Sequence, residues 1–504
     1  MIYPAQTSLI PVQIALARFL GSFDSFQSLR INVFGNYPYW YLGTTPYRYL
    51  TGPIIPSILV GLHKIFSFLS LFEIMLGLLG MVWVVGGIGV YLLIREMTRL
   101  RQGFGEARGI ALIAAFFYIF GPVVPFLFRF SNGLYLIAFS ILPFVMLVYY
   151  RWLKAEDGGW RARKIEILLC LSIAFVMLID SLILPTLILG IAAIFLAQVG
   201  WKRAEEKIKK SLLLMAVSLL LATFWYTPDY WLTLLGAPSL AGKGLAGVIF
   251  QLGKLLPTVL AFGIAIFSVK FFKKKNLLRD FCFYWLFIFG FLTLLRFLSD
   301  PDFWMDWTAY SLELQFGVAI ALGLGLSRIK ANNNLMKANK RIVPLILCGM
   351  FFAQWLFMTN KYVLGTLQRD ISQTVEYRVG RQLSEIAKDG DRVFLSGTTA
   401  FWFNAFFDIP QVRGGVDQVS VDQEWRKAVW EIREGTDPDK SLEWLQDLGI
   451  SFLVVHTQES SEFYNDFKHP EKFEGVEELE KVYDEDGDRI YRFLQEEELN
   501  KKSD

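Results

Sequence analysis

Acidic side chains are concentrated in the segment 299–313, whose sequence is SDPDFWMDWTAYSLE. Its acids are Asp300, Asp302, Asp306 and Glu313. Hard cations such as Mg²⁺ and Mn²⁺ prefer oxygen ligands, so Asp300 and Asp302 are candidate ligands of a metal that bridges to a phosphate. A carboxylate can also remove the proton of an acceptor hydroxyl, which makes Asp302 and Asp306 candidate catalytic residues. The alternative is a solvated acidic loop without chemistry.

A second candidate site is the aromatic-rich segment 36–56, NYPYWYLGTTPYRYLTGPIIP. Its side chains could stack on a sugar or line a groove for a lipid headgroup, and the candidate substrate-binding residues are Tyr39, Trp40, Tyr47, Arg48 and Tyr49. A membrane-surface belt of aromatic rings is the structural alternative. Arg129 and Lys243 are isolated cations near apolar runs, suited either to a lipid phosphate or to snorkelling towards the interface.

The elements that would position these residues are membrane spans. Of the 504 residues, 54% are hydrophobic and 19% are charged, and the mean hydropathy is +0.39. This composition excludes a disordered chain and an ordinary water-soluble enzyme. Ten apolar runs are long enough, or nearly so, to cross a bilayer. They lie near 70–94, 109–128, 133–150, 165–179, 182–200, 211–227, 250–269, 281–297, 308–327 and 342–359.

Positive charge is concentrated in alternate connections between these runs. Five connections hold 24 of the 32 Lys and Arg residues that precede position 361. Lys and Arg are retained on the cytoplasmic side of a membrane, so all five connections face the cytoplasm if residues 165–200 turn back near Asp180. The sequence therefore predicts a multi-pass plasma-membrane protein whose last span ends outside.

The first 69 residues leave two topologies open. Residues 53–68 can form an eleventh span that places the N-terminus inside. Alternatively, they form a helix at the membrane interface, and a further span is expected upstream of this chain. The interfacial helix is favoured because His63 and Lys64 lie in a short apolar run that prolines interrupt.

Residues 361–504 form a distinct acidic part of the chain, with 31 acidic and 18 basic residues. Helical spacing at 372–388 and 420–434, with buried-strand patterns at 391–396 and 450–456, predicts a small α/β domain. A terminal hairpin is predicted from 479 to 494. We therefore expect a loop and interfacial helix at 1–69, a transmembrane helical domain at 70–360 and an extracytoplasmic domain at 361–504.

The order of the motifs resembles that of GT-C-type membrane glycosyltransferases. The motifs that carry the resemblance are Trp40-Tyr41, Tyr47-Arg48-Tyr49-Leu50-Thr51-Gly52-Pro53, Phe224-Trp225-Tyr226-Thr227-Pro228, Leu314-Gln315-Phe316 and Ile490-Tyr491-Arg492. More closely, the chain is similar to the prokaryotic membrane proteins described as 6-pyruvoyl-tetrahydropterin synthase-related or YfhO-like. The resemblance covers nearly the whole chain.

The resemblance implies an α-helical polytopic membrane protein, with about 10–11 spans, of GT-C-like fold. Such an enzyme transfers a sugar from a polyprenyl-phosphate-linked donor to an extracytoplasmic glycan or glycolipid acceptor. It also implies a catalytic or metal-binding acid in the first external loop, and Asp24 is the one acid among residues 1–50.

Two other functions stay open beside the enzyme. One is a non-catalytic protein of the same fold that binds a lipid-linked glycan or assists assembly. The other is a transporter or flippase, which is disfavoured because the spans carry few charges and no repeat is visible. Membrane lipids are expected partners and nucleic acid is not, since basic residues occur only in short loops. The three Cys and three His residues are scattered and indicate no disulfide framework and no zinc site.

Overall fold

The computed structural model divides into two compact units. The mixed unit comprises Met1–Met75, Asp229–Gly242 and Thr366–Asp504, and the bundle unit comprises Leu76–Pro228 and Lys243–Gly365. The residues described are 3–4, 7, 10–43, 45–98, 104–130, 133–155, 159–198, 204–236, 276–298, 310–331, 339–368, 370–415 and 424–494, with isolated positions between 253 and 263. Asp300, Asp302, Asp306, Lys243 and most of the run predicted near 250–269 lie outside these residues.

Helices make up most of the described chain. The first eleven are α1 (Ile10–Gly21), α2 (Ser25–Phe34), α3 (Tyr47–Leu50), α4 (Ile54–Ile65), α5 (Leu71–Thr98), α6 (Phe104–Ile119), α7 (Val123–Phe130), α8 (Gly133–Lys154), α9 (Trp160–Ile179), α10 (Leu184–Gln198) and α11 (Ala204–Ala222). The next eight are α12 (Pro228–Gly236), α13 (Leu277–Leu298), α14 (Ser311–Ala331), α15 (Asn339–Tyr362), α16 (Val375–Ile386), α17 (Gly397–Phe406), α18 (Trp425–Glu434) and α19 (Pro438–Asp447).

Five helical segments of the described chain are long and apolar enough to cross a membrane. They are Leu71–Thr98, Glu106–Arg129, Gly133–Lys154, Ser181–Gln198 and Leu277–Leu294. Each coincides with a predicted run, and the runs at 165–179, 211–227, 308–327 and 342–359 also fall largely within helices. The predicted break near Asp180 is present, because α9 ends at Ile179 and a short 3₁₀ turn separates it from α10.

The mixed unit contains a four-stranded sheet in the order β5-β6-β8-β7. The strands of this unit are β1 (Tyr3–Pro4), β2 (Asn36–Tyr37), β3 (Thr45–Pro46), β4 (Leu367–Gln368), β5 (Val393–Phe394), β6 (Phe452–His456), β7 (Leu479–Glu485) and β8 (Asp488–Phe493). β5 and β6 are parallel, whereas β8 is antiparallel to both of its neighbours. The predicted α/β domain and its terminal hairpin are thus confirmed. The hairpin turns at Asp486 and Gly487, which both have positive φ, as a two-residue turn of this kind requires.

The N-terminal segment packs within the same unit as the C-terminal domain. Helix α1 contacts both α17 and α4, and β1 pairs with β4. Helix α4 has 12 residues and is therefore about 18 Å long, whereas a bilayer core is about 30 Å thick. Helix α4 is thus shorter than a bilayer core, and the interfacial helix at 53–68 stays a prediction from the sequence.

Candidate functional site

Asp24, the acid implied as catalytic, lies at the N-terminus of α2. Its Oδ1 accepts hydrogen bonds from the backbone N–H groups of Phe26 at 2.9 Å and Gln27 at 2.8 Å. This is the geometry of a helix N-cap, in which a carboxylate satisfies the first unpaired amides of the helix. The structure thus assigns Asp24 a structural role that the sequence alone did not indicate.

Substitutions at Asp24 should separate this capping role from a catalytic one. We expect Asp24→Ala to lower the local stability of α2 by about 1 kcal/mol and Asp24→Asn to leave it nearly unchanged, because asparagine caps as well as aspartate. Amide hydrogen exchange of the full chain, recorded for Ser25–Phe34, measures this difference. Loss of sugar transfer in Asp24→Asn with unchanged exchange would instead support the catalytic role that the resemblance implies.

The aromatic segment forms a packed cluster in the mixed unit. Trp40 and Tyr47 are 0% exposed, and Tyr37 lies between them with ring centroids 4.8 Å and 6.3 Å away. Phe19 of α1 stacks on Tyr47 at 6.1 Å. Because these rings are fully covered by protein, Trp40 and Tyr47 have no face open to a sugar in this conformation.

Polar contacts join this cluster to the C-terminal domain. The indole N–H of Trp40 donates to Oδ1 of Asn404 at 3.0 Å, and Gln411 donates to the same oxygen at 2.6 Å. Nearby, the guanidinium of Arg18 donates to both carboxylate oxygens of Asp408, at 2.9 and 2.8 Å. Trp40 of the aromatic segment and Arg18 of α1 are therefore each joined to residues more than 350 positions away in sequence.

The remaining predicted binding residues lie in different surroundings. Tyr39 and Arg48 are partly exposed, whereas Tyr49 is buried against Tyr230 with ring centroids 5.7 Å apart. In the bundle unit, Arg129 is partly buried in the last turn of α7. Tyr39 and Arg48 are thus the predicted residues of the aromatic segment that are accessible to a ligand, and their binding role stays a prediction.

A buried carboxylate lies inside the bundle unit. Glu313, in the first turn of α14, is 0% exposed, and its Oε1 accepts hydrogen bonds from the hydroxyls of Thr186, at 2.7 Å, and Tyr135. Those two hydroxyl oxygens are 2.9 Å apart. Within the described residues, Oε2 of Glu313 has no hydrogen-bond partner. Oε2 of Glu313 can therefore accept a proton, or a hydrogen bond from a further donor.

Helix packing holds Glu313 in this position. The indole N–H of Trp285 donates to the backbone carbonyl of Glu313 at 2.7 Å. Two residues further along α14, Gln315 accepts from the backbone N–H of Val123 at 2.9 Å and donates to the carbonyl of Tyr118 at 3.0 Å. The sequence placed Glu313 in an acidic loop, but its position inside the apolar run 308–327 was the signal that it lies within a helix.

A cluster in the C-terminal domain has the residue types of a nucleophilic triad but not its geometry. His456 Nδ1 lies 2.8 Å from Oδ1 of Asp488, and the Ser460 hydroxyl donates to that same oxygen. A triad requires the serine to contact the imidazole, so this cluster is structural. Burial raises the pKa of Asp488, but hydrogen bonds from His456, Ser460 and Arg378 outweigh burial and hold its pKa below the usual value.

Among the described side chains, no group of three or more His, Cys, Asp or Glu residues is arranged to hold a metal ion. The predicted ligands Asp300 and Asp302 lie outside the described residues, as do the predicted catalytic residue Asp306 and the predicted lipid-phosphate ligand Lys243. The divalent cation therefore stays a prediction from the sequence.

The chain is similar in structure to the oligosaccharyltransferase of Archaeoglobus fulgidus. The AglB enzyme in complex with an inhibitory peptide and a dolichol-phosphate aligns with a TM-score of 0.57 and 13% identity, over 89% of this chain and 66% of that one. The complex with Zn and sulfate aligns with a TM-score of 0.55 and 14% identity, over 89% and 64%. The apo form aligns with a TM-score of 0.51 and 14% identity, over 90% and 66%.

These alignments establish the fold. The chain spans just under two thirds of the length of the oligosaccharyltransferase chains it matches. No protein-family model and no curated protein matches the sequence, so the closer resemblance to the YfhO-like and pterin-synthase-related families stays a prediction. The helical bundle, the C-terminal α/β domain and the alignments together show that this is a polytopic membrane protein with a GT-C-like fold.

Proposed function

We propose that this protein is a GT-C-type glycosyltransferase that moves a sugar from a polyprenyl-phosphate-linked donor to an extracytoplasmic glycan or glycolipid. The observation that carries the proposal is the alignment of 89% of the chain with an oligosaccharyltransferase that was solved with a dolichol-phosphate. In this arrangement the protein spans the plasma membrane, and the mixed unit meets the acceptor outside the cell.

The proposed roles follow the chemistry of the side chains. Asp302 and Asp306 would remove the acceptor proton, and Asp300 with Asp302 would hold Mg²⁺ or Mn²⁺, which when bound supplies charge neutralisation for the donor phosphate. Glu313 joins these candidates because a buried carboxylate inside a membrane bundle is costly and is therefore a functional candidate. Tyr39 and Arg48 would contact the sugar, while Arg129 and Lys243 would bind the lipid phosphate.

A second candidate function is a non-catalytic protein that binds a lipid-linked glycan. It is favoured by one specific observation, namely that Asp24 caps a helix instead of standing free in the first external loop. Under this proposal the donor binds but no sugar is transferred.

The test is a transfer assay with the full chain reconstituted in liposomes that contain polyprenyl-phosphate-linked sugars and Mg²⁺ or Mn²⁺. We expect transfer that chelation abolishes, and a fall of about 100-fold or more in Asp302→Asn and in Asp306→Asn, because general-base catalysis contributes on this order. The matched control is Glu443→Gln, an exposed acid of α19, which should transfer normally.

The outcomes separate the two functions. Unchanged transfer in both aspartate variants would contradict their proposed roles. Tight donor binding without transfer to any acceptor would favour the binding protein over the enzyme. Neither binding nor transfer would contradict both proposals.

A further inference from the structure

A cavity with a basic lining lies between the C-terminal end of α8 and the N-terminal end of α9 in the bundle unit. Its volume is about 1050 Å³, and its charged lining residues are Glu96, Arg151, Lys154, Arg161 and Lys164. Helix α8 ends at Lys154 and α9 begins at Trp160, so the four cations come from two helix ends that are adjacent in the chain. The cavity thus concentrates positive charge at the ends of two helices that are consecutive in the chain.

In the part of the chain that the structure describes, few carboxylates oppose this positive charge. Among the described lining residues, the four cations are opposed by one acid, and Arg151 approaches Glu96 only to 3.9 Å. Lys154 and Lys164 lie over the rings of Tyr150 and Trp160, at 5.0 and 5.1 Å from the ring centroids. A ring attracts a cation without cancelling its charge, so a bound anion would relieve the repulsion between the cations.

The cavity also has an apolar wall that continues along α9. Val148, Ile165 and Leu168 are among its lining residues. Leu168, Leu171 and Phe175 follow Lys164 on one face of the helix, and they are 53%, 53% and 44% exposed. This apolar row is about 10 Å long from Leu168 to Phe175 and begins about one helical turn after Lys164.

We propose that this cavity binds an anionic phospholipid of the cytoplasmic leaflet. Its phosphate would contact Arg151, Arg161 and Lys164, and one acyl chain would lie along Leu168 and Phe175. Basic pockets between membrane helices on the cytoplasmic side are suited to anionic headgroups, and the distribution of Lys and Arg in the sequence predicts that this end of the bundle is cytoplasmic. A free phosphate would use the same cations but would leave the apolar row uncovered, so the combination favours a lipid. The proposal does not depend on glycosyl transfer.

The test compares two double variants of the full chain in neutral detergent by native mass spectrometry. Arg161→Gln/Lys164→Gln removes two cavity cations. The matched control Lys209→Gln/Lys210→Gln removes two cations of α11 that already pair with Glu205 and Glu206 at 2.8 and 3.0 Å. Arg161 and Lys164 are exposed, so their replacement should not disturb folding.

Dioleoylphosphatidylglycerol is the probe, with dioleoylphosphatidylcholine and inorganic phosphate as comparisons. We expect the cavity variant to bind phosphatidylglycerol about 30-fold more weakly than the unmodified protein, because each cation near an anionic lipid contributes roughly a factor of five. The control variant should bind within about twofold of the unmodified protein. Equal loss in both variants, equal affinity for phosphatidylcholine, or binding of phosphate without binding of lipid would overturn the proposal.

Discussion

Replacing Trp40 with alanine should lower the local free energy of unfolding of the mixed unit by about 3–5 kcal/mol, the usual cost of truncating a buried tryptophan. Trp40 is 0% exposed, and its indole packs so closely on the backbone of Gly414 that a Cβ there would come within 2.6 Å of the ring. The substitution leaves a cavity and removes one of the two donors to Asn404 Oδ1. Amide hydrogen exchange of the full chain, recorded for Gly397–Phe406, measures the loss.

Two further variants define what the loss means. Trp40→Phe keeps most of the ring but removes the N–H, so it should cost about 1 kcal/mol beyond any repacking. Trp430→Ala, at a site that is 53% exposed in the same unit, should change stability by less than about 0.5 kcal/mol. If Trp40→Ala matched Trp430→Ala, the aromatic segment would not be anchored to the C-terminal domain as the structure shows.

Membrane spans and the C-terminal domain could be predicted from the sequence because they depend on local patterns. A membrane-spanning helix must be apolar along most of its length. Hydropathy alone therefore locates Leu71–Thr98 and Leu277–Leu294. The hairpin of β7 and β8 is equally local, since Asp486-Gly487 is one of the few dipeptides that adopt positive φ at both positions.

Contacts between distant residues could not be predicted in the same way. The hydrogen bond from Trp40 to Asn404 joins residues 364 positions apart, and composition alone favoured a membrane-surface belt for the aromatic segment. Burial of these rings is a property of the mixed unit as a whole, since it depends on α1 and α17 packing beside the segment. A single sequence carries no periodicity that reports such packing.

The two acids, Asp24 and Glu313, show how side-chain roles depend on context. Asp24 precedes Ser25-Phe26-Gln27, a sequence compatible with a helix start, whereas the family resemblance implies a catalytic role for it. Glu313 is close in sequence to three aspartates but lies within an apolar run. Its contacts with Tyr135 and Thr186 come from two other helices, so only the assembled bundle identifies the site.

The second large effect that we expect is a loss of activity on substitution of Glu313. We expect Glu313→Gln to reduce sugar transfer by at least tenfold while the thermal midpoint stays within a few degrees of the unmodified protein. Glutamine has nearly the same shape, and its Oε1 still accepts from Tyr135 and Thr186, so the hydrogen bonds of the bundle survive. The substitution removes only the ionisable carboxylate. Stability should not depend on it, because replacing buried charged groups by uncharged groups of similar volume is often neutral.

Gln315→Leu, on the same helix, should have the opposite effect: it should lower stability but not activity. It removes the hydrogen bonds to Val123 and Tyr118 and leaves their buried backbone groups without that partner, which should cost about 1–3 kcal/mol and lower the thermal midpoint. Transfer per folded molecule should nevertheless stay close to that of the unmodified protein, because the carboxylate of Glu313 is intact.

A Glu313→Gln protein with full transfer would assign the buried acid a packing role alone, and equal losses of stability in both variants would lead to the same conclusion. A stable but inactive Glu313→Gln protein beside an active, less stable Gln315→Leu protein is the result that only a functional carboxylate explains.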